Sequence, residues 1–190
     1  MSAIDMELVY ARYNGKVMGY LQARLHNLAL AEDLCAEVFV QEETGWTTEI
    51  TAHFATVEEG QQLMRGRTLF HDQIAESTLA FFLQRKGGTL DEYIEYSAEQ
   101  VMEFTPEDEQ RVNDTLAWLQ ELLERHSLQL PDPGEITIVK STGEEALGSA
   151  GYTSGGAIFL GWFAFNPEYY TDDMFRELFV HELSHCLSRL

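Results

Sequence analysis

Apolar residues recur at helical spacing over much of the chain. From Glu7 to Gln41 they lie three, four and seven positions apart, as on one face of a helix, and the pattern weakens near His26-Asn27. This stretch therefore predicts a pair of helices. The same spacing over residues 61–83 and 90–104 predicts further helices, separated by the turn signal Lys86-Gly87-Gly88.

The segment after Thr105 carries the clearest helix signals. Thr105 is a favourable N-cap, Pro106 fits the first turn, and acidic residues follow that complement the positive end of the helix dipole. A helix is predicted from about residue 105 to about residue 126, before a proline-rich turn. Its apolar stripe consists of Val112, Leu116, Leu119 and Leu123.

Strand patterns are found in the last part of the chain. Residues 135–140 (E-I-T-I-V-K) alternate like a strand, and residues 157–165 (A-I-F-L-G-W-F-A-F) form an apolar run of strand length. Between them, the glycine-rich residues 148–156 are predicted to be a loop. Thr171 then caps a final helix that has two aspartates in its first turn.

These patterns predict an α+β chain in three parts. Residues 1–41 are expected to form a helical hairpin, and residues 42–60 a threonine-rich connector. Residues 61–190 are expected to form one domain that combines helices with a short mixed β-sheet and ends in the final helix.

Charge and cysteine content exclude several classes of function. The 190 residues carry 12 basic and 32 acidic side chains, a formal charge of −20, so the surface should repel nucleic-acid phosphates and anionic lipid headgroups. The two cysteines, Cys35 and Cys186, are too few for a disulfide framework. Because the sequence also lacks a signal-peptide pattern and any apolar run of about 18 residues, we expect a cytoplasmic protein without a membrane span.

The final helix carries a metal-binding pattern, H-E-L-S-H, at residues 181–185. Four residues advance a helix by little more than one turn, so His181 and His185 project from one face about 40° apart and can share one zinc ion. Glu182 lies about 100° from His181, where a carboxylate can act as a general base toward a metal-activated water. The alternative is a helix with two surface histidines and a glutamate that pairs with Arg189 or with water.

Together with the strands before it, this helix resembles the zincin metallopeptidases. The resemblance covers residues 105–190 and rests on F-V-H-E-L-S-H-C-L-S and the two preceding strand patterns. It implies that His181 and His185 bind Zn²⁺, that Glu182 is the general base, and that the reaction is hydrolysis of a peptide or protein substrate. It also implies that residues 157–165 form an edge strand that pairs with the extended substrate. The strand residues assigned to substrate binding are Ile158, Phe159, Leu160, Gly161 and Trp162.

The sequence departs from the zincin pattern at the third metal ligand. Zincins take this ligand from downstream of the motif, but the residues that follow His185 include no Asp, Glu or His. A gluzincin-like or aspzincin-like layout, with this chain as the N-terminal part of a longer protein, is the expected explanation. Upstream His53, His71 and His126 are alternatives, although each is more often an ordinary histidine. An upstream cysteine ligand, as in peptide deformylases, is excluded because Cys35 has no neighbouring glycine and lies in a predicted helix.

A second resemblance covers the N-terminal helices. Residues 8–41, with A-E-D-L-C-A-E-V-F at 31–39, are similar to the first part of region 2 of extracytoplasmic-function sigma factors, where this helix contacts RNA polymerase. The resemblance implies that Glu32, Asp33 and Glu37 face a basic partner surface. The arginine-rich stretch that reads promoter DNA in that family has no counterpart here. The alternative function is therefore a non-enzymatic regulatory module that binds RNA polymerase.

Overall fold

The computed structural model describes residues 45–66 and 74–187, and apart from Gly45 these belong to one compact unit, Trp46–Arg189. Its helices are α1 (Val57–Arg65), α2 (Glu76–Phe82), α3 (Leu90–Glu99), α4 (Pro106–Arg125) and α5 (Asp172–Leu187). Its strands are β1 (Trp46–Thr47), β2 (Thr51–Phe54), β3 (Val101–Met102), β4 (Leu130–Pro131), β5 (Glu135–Ser141), β6 (Gly151–Ser154) and β7 (Ala157–Gly161). Short 3-10 helices lie at Glu144–Ala146 and Trp162–Phe165. None of the described helices is long and apolar enough to cross a membrane.

Five of the strands form one mixed β-sheet. β2, β5 and β7 run parallel in that order, β6 pairs antiparallel with β7, and β3 pairs antiparallel with the end of β5. The short strands β1 and β4 pair separately. The predicted combination of helices with a mixed sheet is confirmed, so the described part of the chain is α+β.

Apolar side chains of the central strands point to both faces of the sheet. Ile136 and Ile138 of β5 pack with α4 and α5, whereas Val139 packs on the opposite face with residues of α1 and α3. Because helices cover both faces, the central strand β7 (A-I-F-L-G) is apolar and buried along its whole length. The most deeply buried residues of the α4–α5 side include Ile158, Leu160, Phe175, Phe179 and Leu183.

A buried ion pair joins α4 to the central strand. Lys140 of β5 contacts Asp108 in the first turn of α4, and the two side chains are only 8% and 10% exposed. The carboxylate of Asp108 also accepts a hydrogen bond from the backbone N–H of Thr105, which completes the capping box at the start of α4. The helix predicted over residues 105–126 is confirmed, and its first turn is anchored to the sheet.

A two-residue turn connects β6 to β7. It consists of Gly155 and Gly156, which have positive φ angles of 59° and 82°. Glycine adopts such angles without steric cost, and the length of the turn determines the register of the hairpin. Consequently Tyr152 of β6 faces the α1–α3 side of the sheet, whereas Thr153 faces α5.

Several segments differ from the sequence predictions. Of the helix predicted over residues 61–83, the described residues contain α1, which ends at Arg65, and α2, which begins at Glu76. The helix predicted over residues 90–104 ends at Glu99 and is followed by β3. The connector predicted over residues 42–60 instead contains β1, β2 and the start of α1. Thr51–Phe54 (T-A-H-F) alternates between polar and apolar residues, as a strand does. The threonines around it gave the segment the composition of a linker, but threonine is β-branched and is also common in strands. The loop predicted over residues 148–156 contains β6, because its glycines form the turn of a hairpin.

Candidate metal centre

Helix α5 is oriented by its apolar side. Thr171 caps its first turn, accepting a hydrogen bond on its hydroxyl oxygen from a backbone N–H three residues on. The apolar stripe of Phe175, Phe179 and Leu183 is at most 1% exposed and packs against the sheet. Burial of this stripe leaves both histidines of the motif on the exposed side of the helix.

The imidazole rings of His181 and His185 converge. Their Nε2 atoms are 3.2 Å apart, and the ring planes lie at 88° to each other. A tetrahedral zinc ion with Zn–N bonds of about 2.0–2.1 Å holds two nitrogen ligands about 3.3 Å apart. The observed spacing therefore fits two ligands of one ion. It also fits a single hydrogen bond between a protonated and an unprotonated ring nitrogen.

The carboxylate of Glu182 lies on the buried side of α5, against strand β6. Glu182 is 4% exposed, and its Oε2 atom is 2.9 Å from the hydroxyl of Thr153, which donates to it. The same hydroxyl lies 3.0 Å from the backbone oxygen of Glu182. The hydroxyl of Thr153 therefore fixes the Glu182 carboxylate against β6, on the helix that carries both candidate ligands.

No third ligand joins the pair from the described residues. Among residues 45–66 and 74–187, the His, Cys, Asp and Glu side chains form no group of three placed to hold one metal ion. His53 pairs with Glu59, and His126 is the C-cap of α4. Cys186 is buried, with its Sγ atom 3.6 Å from the backbone oxygen of Gly156. The remaining candidate, the histidine at position 71, lies outside the described residues.

The strand predicted to bind substrate is not at the edge of the sheet. β7 lies between β5 and β6, so its backbone hydrogen-bonding groups are used on both sides. Ile158, Phe159 and Leu160 are at most 2% exposed, Gly161 is buried, and only Trp162, which follows the strand, is exposed. The prediction that the strand within residues 157–165 lies at the edge of the sheet is therefore wrong. Among the described strands, the edge nearest α5 is β6.

Sequence reasoning missed Thr153 and its strand. The signal that would have found them is the pair Gly155-Gly156 directly before an apolar strand, which is a hairpin turn. A hairpin implies a preceding strand whose alternate side chains face the same layer as the apolar strand. Depending on the register of the hairpin, either Tyr152 or Thr153 would then face the layer that contains the final helix.

The N-terminal prediction cannot be compared with this geometry. Residues 8–41, with the proposed polymerase-facing Glu32, Asp33 and Glu37, lie outside the described residues. Contact with RNA polymerase through this segment stays a prediction.

Comparison of the chain with protein-family models, with curated proteins and with solved structures gives no match in any of the three. The chemistry of the centre is accordingly inferred from the residues themselves.

Proposed function

We propose that the chain contributes two zinc ligands, His181 and His185, and a general base, Glu182, to a zincin-type centre that hydrolyses peptide bonds. The observation that carries this proposal is the 3.2 Å separation of the two Nε2 atoms on the exposed side of α5. Catalytic zinc sites normally use three protein ligands, so the proposal includes a third ligand from outside the described residues.

The chain's own residues prepare Glu182 for proton transfer. His181 and His185 would hold a Zn²⁺ ion here, and the ion would supply Lewis-acid chemistry to the reaction. Glu182 accepts a proton from the attacking water and delivers it to the leaving amine. The Thr153 hydroxyl orients the carboxylate for this role, and burial of Glu182 restricts its movement.

Strand β6 supports a peptide as the substrate class. It is an edge strand among the described residues, and its Thr153 contacts Glu182 directly. An extended peptide that paired with the outer edge of β6 would gain backbone hydrogen bonds and lie along the strand that holds the base. In this proposal β6 replaces β7 as the substrate-binding strand.

Metal content tests the ligand assignment. Purified protein loaded with Zn²⁺ and desalted is expected to retain about one zinc per chain. His181→Ala and His185→Ala are each expected to lose it, because removal of one imidazole leaves fewer than the three protein ligands that a catalytic zinc site normally uses. His126→Ala is the matched control, since His126 is at the end of a different helix. Zinc retained at equal stoichiometry by His181→Ala, or no zinc bound by the parent chain, would reject the ligand pair.

Hydrolysis tests the base separately. Glu182→Gln keeps the shape of the side chain but cannot accept the proton, so it should keep its zinc and lose peptide cleavage by about a hundredfold or more. Cleavage is measured by mass spectrometry on a peptide mixture. A zinc-loaded parent chain that cleaves nothing would leave a metal site without peptidase activity and refute this function.

A further inference from the structure

A second buried carboxyl group lies on the other face of β6. Glu145, in the 3-10 helix before this strand, is 1% exposed. Its Oε1 atom accepts hydrogen bonds from the hydroxyls of Ser141 (2.6 Å) and Tyr152 (3.0 Å). The described residues give its Oε2 atom no hydrogen-bond partner. The side-chain donors to this carboxyl group are therefore neutral hydroxyls, and among the described residues Oε2 is buried without a donor.

This arrangement suits a neutral carboxylic acid better than a carboxylate. A buried anion needs several donors or a cation, and an anionic oxygen without a donor is costly. A proton on Oε1 can be donated to the Tyr152 hydroxyl, whose own hydrogen then points to the Sδ atom of Met64, 3.6 Å away. In the neutral form the acid proton is therefore hydrogen-bonded, and Oε2 is an uncharged carbonyl oxygen.

The titratable neighbours of Glu145 keep their protons while the carboxyl group changes. Burial is the main cause of the raised pKa of Tyr152, which lies well above 10. Burial also raises the pKa of Tyr93 in α3, whose hydroxyl donates a hydrogen bond to the backbone oxygen of Glu145. Tyr96 of α3, whose pKa is also raised by burial, hydrogen-bonds to Glu144 beside it. Burial raises the pKa of Glu145 itself above 4.5, while the Ser141 and Tyr152 hydroxyls and the nearby backbone N–H groups of Glu145 and Gly143 oppose this shift.

The side chain of Glu145 attaches the loop that carries it to two strands of the sheet. Gly143, Leu147 and Gly148 all have positive φ, and Leu147 is a residue that rarely adopts such an angle. Strain of this kind persists only where surrounding contacts hold it. Glu145 connects the loop to β5 through Ser141 and to β6 through Tyr152.

We propose that Glu145 is a proton-operated latch: its neutral acid holds residues 142–150 and strand β6 against the sheet, and loss of its proton releases β6. Because β6 also carries Thr153, release weakens the contact with Glu182 on the opposite face. The latch does not depend on metal binding or on peptidase activity. It makes the edge of the sheet sensitive to pH.

Hydrogen exchange of β6 amides tests the latch. Protection factors, corrected for intrinsic exchange, are measured across about pH 5 to 9, the range in which buried glutamates titrate. In the parent chain the opening constant of residues 151–154 is expected to rise by up to about tenfold per pH unit between the pKa of the open and closed states. Glu145→Gln, which copies the neutral acid, should show no such rise. Amides of β5 are the internal reference in both proteins.

Two results would overturn the proposal. One is constant protection of β6 in the parent chain over the whole range, and the other is an equal loss of protection in Glu145→Gln. If circular dichroism shows that Glu145→Gln does not fold, Ser141→Ala replaces it. Loss of the Ser141 donor destabilises the ionised form, so the opening transition should move to higher pH, and an unchanged or lower midpoint would reject the latch.

Discussion

The hydroxyl of Thr153 lies within hydrogen-bond distance of two oxygens of Glu182, but it has one proton to donate. Because Glu182 is almost fully buried, water cannot replace that donor easily. The position of this carboxylate therefore depends on one residue from a different element of the fold. His181 and His185 differ, since their placement one turn apart on the same face follows from helix geometry.

Replacing Thr153 measures this dependence. Thr153→Val keeps the size of the side chain but removes the donor, so the free energy of unfolding should fall by about 1–3 kcal/mol. Thr153→Ser, which keeps the hydroxyl, is the matched control and should lose clearly less. Urea unfolding followed by circular dichroism gives both values. Equal stability of the two variants would mean that the hydrogen bond contributes little.

The histidine motif could be predicted from the sequence, whereas Thr153 could not. A spacing of four residues in a capped helix determines where both rings project, and this information is local. Contact between Thr153 and Glu182 joins residues 29 positions apart and depends on the hairpin register. Periodicity along one segment does not contain that register.

At the level of elements, the Lys140–Asp108 pair ties helix α4 to strand β5. Both groups are buried, so the loss of one partner leaves the other charge without compensation. Asp108 also caps α4, and its carboxylate would keep only the backbone donor of Thr105. The Arg125–Glu121 pair on the same helix is 66% and 74% exposed and should contribute far less.

Removal of the buried lysine should be strongly destabilising. Lys140→Met is expected to reduce the free energy of unfolding by about 3 kcal/mol or more, because it leaves a buried carboxylate without its cation. Arg125→Ala is the control and should cost about 0.5 kcal/mol or less. Chemical denaturation of both variants provides the comparison. The prediction fails if Lys140→Met is no less stable than the control.

Elements with strong local signals were predicted from the sequence, whereas the position of β7 within the sheet was not. The cap at Thr105 and the alternation of β5 predicted α4 and its neighbouring strand. The apolar run at residues 157–165 predicted a strand, but it ends at Gly161 and has neighbours on both sides. A fully apolar strand is typical of the interior of a sheet, so its burial pattern argued for a central position.

On the scale of the whole molecule, net charge opposes compactness. The full chain carries 32 acidic and 12 basic side chains, and repulsion among like charges favours the expanded state. Ion pairs on the surface, such as Arg65–Glu95, offset little of this because they are exposed.

Salt should therefore stabilise the protein. Raising NaCl from about 0.01 M to about 0.15 M shortens the screening length from about 30 Å to about 8 Å and weakens the repulsion. The melting temperature is expected to rise by a few degrees. Differential scanning calorimetry measures it, with KCl as the control for specific sodium binding. A falling melting temperature would show that attractive ion pairs outweigh the repulsion.

The turn at Gly155-Gly156 sets which side chains of β6 point to which helical layer. Adding or deleting one residue there would shift the register of β6 by one position and exchange its two faces. The Tyr152 ring would then point toward α5 and the Thr153 hydroxyl toward the opposite layer. Both buried carboxyl groups, at Glu145 and Glu182, would lose a hydroxyl partner in one step. The number of residues in one hairpin turn thus determines whether two polar contacts, on opposite sides of the sheet, can form.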